Sequence, residues 1–173
     1  MFQKGEYIMY GNVGVCQVED IGVPSHISTA DPDRTYYTLR PVYQTGTIYI
    51  PVDTKIFMRP LLTKKEVLNL IDRIPEIKEE QVEGRNLCVL SDRYEASLRT
   101  HACEDLIQLI KTIYVKGQTV RQNGRQLGQT EQRYFKRAEE LLYGEFAIAL
   151  HMPIDEVKPY LEKILDQKEQ KNE

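Results

Sequence analysis

The chain has 173 residues, of which 41% are apolar and 28% charged, and its formal net charge is −3. That balance fits an ordinary globular protein, and the negative sign argues against a protein that simply coats nucleic acid. No basic stretch precedes an apolar run near the N-terminus. The longest apolar windows are broken by Pro60, Glu145 or His151, so neither a secretory leader nor a membrane span is expected.

Two stretches near the N-terminus, Gly5–Ile21 and Thr35–Asp53, alternate Tyr, Val, Ile and Thr with other residues. β-branched and aromatic residues at period two mark half-buried strands. The spacing predicts strands over Tyr7–Tyr10, Val15–Ile21, Tyr36–Tyr43 and Thr47–Pro51, with tight bends where Gly11, Gly14 and Gly46 supply positive φ. Between the two pairs lies the polar loop Pro24–Arg34, which has two prolines and no periodicity. Four or five short strands in about sixty residues predict a small antiparallel barrel of Tudor or SH3 type, because a lone hairpin of this length is not stable.

Everything downstream reads as helical. Thr63-Lys-Lys-Glu66 is a capping-box pattern opening a helix with Val67, Leu70, Ile71 and Ile74 on one face, ending at Pro75. The polar segment Pro75–Arg85 is expected to link two domains as short helix plus hinge. Ser91 or Asp92 caps a helix holding Tyr94 and Leu98. A second starts near Glu104 and carries Leu106, Ile107, Leu109, Ile110, Ile113 and Tyr114; its continuation over Lys116–Gly128 is either frayed or an exposed connection. Thr130 caps a third helix with Tyr134, Ala138, Leu141, Leu142, Phe146 and Ala149 inward. Pro153 opens the last, with Val157, Leu161, Ile164 and Leu165 inward. The expected organisation is therefore an α+β chain of two domains: a β head over 1–62, a helix and linker over 63–84, an all-helical domain over 85–167 and a loose tail over 168–173. Charge is uneven along it. Residues 1–84 net −3, residues 85–150 net +2 and residues 151–173 net −2. The middle of the helical part is thus the one mildly cationic region.

No constellation for chemistry stands out. His26, His101 and His151 are scattered, and His101 with Cys103 makes one HxC pair without the second cluster a zinc site needs. Asp31 and Asp33 lack the glycine and terminal glutamate of a calcium loop. Gly11-Asn-Val-Gly14 has no following Lys-Ser/Thr and reads as a hairpin turn rather than a phosphate cradle. Glu139 and Glu140 read as solvated charges on a helix face. Neither an enzyme nor a cofactor or metal site is expected. Cys16, Cys88 and Cys103 share no CxxC spacing, which fits unpaired thiols in a reducing cytoplasm.

Three sets of residues together resemble the CarD/CdnL family of bacterial RNA-polymerase-binding transcription regulators. The first is Phe2, Lys4-Gly5-Glu6, Tyr10, Gly14-Val15 and Val18, with Gly11 where many members have proline. The second is Tyr36-Tyr37, Leu39-Arg40-Pro41 and Ile48-Tyr49-Ile50-Pro51-Val52-Asp53. The third is Arg93-Tyr94, Glu131–Leu142 and Gly144–Ala149. In order, they cover about residues 1–165. The resemblance implies a Tudor-like head that docks on the RNA polymerase β subunit and a helical domain that touches promoter DNA, without sequence specificity, at the edge of the transcription bubble. For docking, it points to the Thr47–Ile50 segment (Thr47, Ile48, Tyr49, Ile50) as an edge strand for β-augmentation, with Arg40 and Tyr49 adding side-chain contacts. Alternation places Ile48 and Ile50 in the barrel core and turns Tyr49 outward. For DNA, it points to Leu90, Arg93, Arg133, Lys136 and Arg137. Family members commonly carry a tryptophan where this chain has Leu90, and Leu90 reads either as a base-step wedge or as a core residue. Asp92 and Glu95 stand where the family is often basic. A runner-up reading is a polymerase-binding adaptor that has largely lost DNA contact.

Overall fold

In a computed structural model that describes residues 1–81 and 86–171, the chain divides into two compact units, Met1–Leu61 and one beginning at Leu62. The first unit is a five-stranded antiparallel sheet. Its strands are β1 (Tyr7–Tyr10), β2 (Gly14–Gly22), β3 (Tyr36–Pro41), β4 (Ile48–Pro51) and β5 (Met58–Pro60), in the spatial order β4-β3-β2-β1-β5. Each strand predicted from alternation is present, and the short β5 is the added fifth. One face of the sheet buries Ile8, Tyr10, Cys16, Val18, Tyr37 and Leu39, with Ile48, Ile50 and Met58 packed against them. The register slips by one residue between Val18 and Asp20, a bulge that raises local twist and lets so short a sheet bend around its core. Gly11 sits at φ +42, which favours glycine in the β1–β2 turn, and a Cβ there would make a tight 3.1 Å contact with Ile56 Cγ2. In the polar loop, Asp31 accepts the N–H of Asp33 at 3.0 Å, making an ordinary Asx turn of that acidic pair.

The second unit holds α1 (Lys64–Arg73), α2 (Leu87–Arg99), α3 (Cys103–Gln122), α4 (Gln129–Leu150) and α5 (Ile154–Lys171). The capping box at Thr63 is formed as the sequence indicates. α3 and α4 form the spine, with α2 against both and α1 and α5 against α4. Leu90, Tyr94, Leu98, Leu106, Ile113, Leu142, Phe146, Val157 and Leu161 are buried among these helices.

The division between units falls at Leu61, one residue from the expected end of the β head, and α1 buries Val67, Leu70 and Ile71 within the helical unit. Local boundaries further along differ from expectation. The part of Pro75–Arg85 that lies within the described residues is tied to α3. Lys111 Nζ donates to the carbonyls of Ile74 and, at 2.7 Å, of Ile77. Gln108 donates to the Lys78 carbonyl at 3.1 Å, and the Glu80 N–H donates to Thr112 Oγ1 at 2.9 Å. A segment whose side chains are polar can still be fixed when its backbone groups find partners. α2 begins at Leu87 with Asn86 as its cap, ahead of Ser91 and Asp92. α3 runs on through the polar stretch to Gln122, and α5 continues to Lys171, where Lys168 pairs with Asp72 at 2.7 Å.

Candidate interaction surfaces

The first surface is the β4 edge. Among the described residues β4 pairs with β3 alone, so one side of the strand carries no ladder. Which of its groups face outward follows from the hydrogen bonds. The Val52 N–H donates inward to the Thr35 carbonyl at 3.0 Å. Strand alternation then turns Ile50 and Ile48 toward β3 and turns the Tyr49 N–H and C=O to the open side. Pro51 has no N–H to offer, which limits the length of the free edge. The side chains divide the same way. Ile48 and Ile50 pack against the head's core, and Tyr49 lies on the opposite face, beside Thr38 across the ladder.

Arg40 shares that outer face by alternation, since Tyr37 and Leu39 point inward. It lies diagonal to Tyr49 and forms an exposed ion pair with Glu19 at 3.0 Å. Thr47 is exposed just before the strand. The structure thus gathers Arg40, Thr47 and Tyr49 at one accessible edge, while Ile48 and Ile50 turn their side chains to the core and their backbone groups to β3. Burial pushes the Cys16 thiol up to about 11, far from the thiolate form that nucleophilic chemistry needs.

The second surface is the cationic part of the helical unit. Arg133, Lys136 and Arg137 stand at i, i+3 and i+4 on α4 and form one stripe. The Arg133 guanidinium lies 5.5 Å over the Tyr134 ring. Lys136 and Arg137 both reach Glu140, at 3.9 and 3.4 Å. On α2, Arg93 pairs with Glu80 at 3.4 Å. Nearby Glu95 accepts the Tyr134 hydroxyl at 3.3 Å and, with Asp92, Ala96, Arg99 and Thr100, lines a shallow groove. Carboxylates are therefore interleaved with the cations. Among the described residues a continuous positive face does not form.

Leu90 is only 4% exposed and packs inward with Tyr94 and Leu98, so it presents no surface to a base step. It takes the core role that the sequence left open. The exposed apolar residues at that end of α2 are instead Leu87 and Val89, at 54% and 51%. Sequence reasoning misses them because it starts the helix at Ser91 or Asp92. The signal is Asn86, a strong N-cap residue whose side chain accepts the Cys88 N–H at 3.0 Å. His101 and Cys103 are both buried, and the Cys103 thiol donates to Glu145 at 3.0 Å. Among the described residues no group of three His, Cys, Asp or Glu side chains is placed to hold a metal ion. No helix there is long and apolar enough to cross a membrane.

Residues 2–62 match the family described as the CarD-like/TRCF RID domain, a Tudor-like, RNA-polymerase-interacting module that works by protein interaction rather than catalysis. The matched span takes in all five strands of the head. No curated protein matches the chain.

Proposed function

Because residues 2–62 are a CarD-like/TRCF RID domain, we propose that this chain is a non-enzymatic, cytoplasmic transcription regulator that docks on the β subunit of RNA polymerase through the β4 edge and modulates promoter open-complex formation. The observation that carries this reading is the free side of β4. It offers the Tyr49 N–H and C=O for pairing with a strand of the partner, while Tyr49 and Arg40 supply side-chain selectivity. Backbone pairing gives affinity, and the two side chains on the outer face decide which strand is accepted. Bound there, the chain shifts the balance between closed and open promoter complexes to the extent that it binds one state better than the other.

The helical unit adds DNA contact through the α4 stripe of Arg133, Lys136 and Arg137, with Leu87 and Val89 as the apolar surface at the start of α2. Such contact goes to phosphates and carries no sequence information. A second reading, an adaptor with little DNA contact, is favoured by the burial of Leu90 and by the carboxylates that hold Arg93, Lys136 and Arg137. Capture of the polymerase β subunit by the full chain tests what the two readings share, and absence of capture ends both. Footprinting a promoter complex separates them. Protection that is lost on Arg137→Ala supports DNA contact by α4, and protection unchanged by it supports the adaptor.

A further inference from the structure

Arg133, Lys136, Arg137 and Glu140 occupy i, i+3, i+4 and i+7 of α4, so three cations and one carboxylate share a single face. Glu140 stands at the end of that stripe, within 3.9 Å of Lys136 Nζ and 3.4 Å of Arg137 Nη1. Its neighbour Glu139 has different duties: it takes a hydrogen bond from the Tyr143 hydroxyl and pairs with Lys158 of α5. Glu140 is half exposed and has no comparable packing role, since its hydrogen bond comes from Arg137 of its own helix.

We propose that Glu140 is a built-in competitor for phosphate that sets the DNA affinity of the helical unit. The inference rests on the proposed contact of the α4 stripe with DNA and adds what regulates it. A carboxylate beside two cations acts on a nucleic acid in two ways. It takes an Arg137 N–H that a phosphate oxygen would otherwise take, and it lowers the positive potential around Lys136 and Arg137 and so repels the phosphate. Arg133 is held differently, by the face of Tyr134, and keeps its charge available at the other end of the stripe. Weak intrinsic binding of this kind suits a unit brought to a promoter by the head. Tethering raises the local concentration of DNA, so modest affinity suffices on the polymerase while free duplex is ignored.

The test is the affinity of the full chain for a short fluorescent DNA duplex, read by anisotropy across a salt series. Each exposed pair is weak, so freeing both through Glu140→Gln is expected to tighten binding about three- to tenfold. The slope of log affinity against log salt should also steepen by about one for each additional phosphate that the freed cations neutralise. Adding Lys136→Gln and Arg137→Gln to that variant should erase the gain. Glu104→Gln, which frees Arg73 on other helices and changes net charge equally, should stay within about twofold of the wild type because screening confines the effect. Equal affinity of the wild-type and Glu140→Gln chains overturns the inference and leaves DNA contact standing. A gain from Glu104→Gln as large as that from Glu140→Gln overturns it as well, because net charge alone then explains the change. If neither chain binds DNA while polymerase capture persists, the inference and the DNA half of the proposed function fall together.

Discussion

The backbone N–H of Leu62, the first residue of the helical unit, donates at 2.9 Å to Glu145 Oε1, 83 positions further along the chain. The other carboxylate oxygen takes the Cys103 thiol at 3.0 Å, so one fully buried side chain on α4 fixes both the entry to α1 and the start of α3. A buried donor left without its acceptor is costly. Glu145→Ala is therefore expected to lower the stability of the helical unit by about 1–3 kcal/mol, read by urea melts. An unchanged midpoint would show that Glu145 does not organise this junction.

Leu90 gives a second stability prediction, and one that separates core from wedge. Truncating a buried leucine removes transfer energy and leaves a cavity, so Leu90→Ala should cost about 2–5 kcal/mol. Thermal melting checks the value. A stable variant that selectively loses promoter protection would mean that Leu90 reaches DNA after all.

The capping box makes a pH prediction. Thr63 donates its N–H and hydroxyl to Glu66 at 2.7 and 3.0 Å, and the N–H first, then the hydroxyl, hold the Glu66 carboxyl below its usual range. A depressed folded-state value means that the contribution is present above the unfolded carboxylate range and fades as pH falls through the folded value. Removing the carboxylate through Glu66→Ala should lower the melting temperature at neutral pH, because the Thr63 N–H loses its acceptor. That deficit should narrow in acid, where the wild-type carboxyl is protonated as well. A deficit independent of pH would contradict the reciprocal bond.

Lys116 and Glu131 pair across α3 and α4 at 2.5 Å, with Glu131 almost fully buried. Burial alone would push the Glu131 carboxyl up, but Lys116 and backbone N–H groups outweigh it and bring the value below normal. Stability from this pair is thus present at neutral pH and lost in acid. With Lys116→Met the balance reverses. Glu131 should titrate above its usual range, and the chain should lose about 1–3 kcal/mol at neutral pH. The loss should shrink as the medium becomes acidic enough to protonate the carboxyl. An unaltered pH profile would show that the pair is not coupled to folding.

The fold is legible wherever local chemistry decides it, and less so where partners distant in sequence do. Period-two alternation locates four of the five strands, and Thr63-Lys-Lys-Glu66 marks the start of α1. β5 escapes it because Met58–Pro60 is too short to show a period. The segment after Pro75 reads as a linker from its polarity, yet its carbonyls and amide are taken by Gln108, Lys111 and Thr112, some thirty residues away. Periodicity cannot see such bonds. In the same way α3 continues over polar residues because Gly117 lets Leu127 approach closely and Lys116 meets Glu131. At the candidate surfaces, alternation correctly turns Tyr49 away from the core side occupied by Ile48 and Ile50. The pairing of Lys136 and Arg137 with Glu140 is visible as helical spacing, but spacing alone reads as no more than a solvated face.

The docking proposed for the outer edge of β4 converges on Tyr49, where backbone and side chain of that edge coincide. Tyr49→Asp places a charge there without touching the inward Ile48 and Ile50 or the bonds to β3. The direct measurement is the dissociation constant of the full-length variant for the RNA polymerase β subunit, with circular dichroism confirming that the head is folded. Desolvating a carboxylate at the contact should weaken binding about tenfold or more. A folded variant that binds the β subunit as tightly as the wild type would rule out docking through this edge.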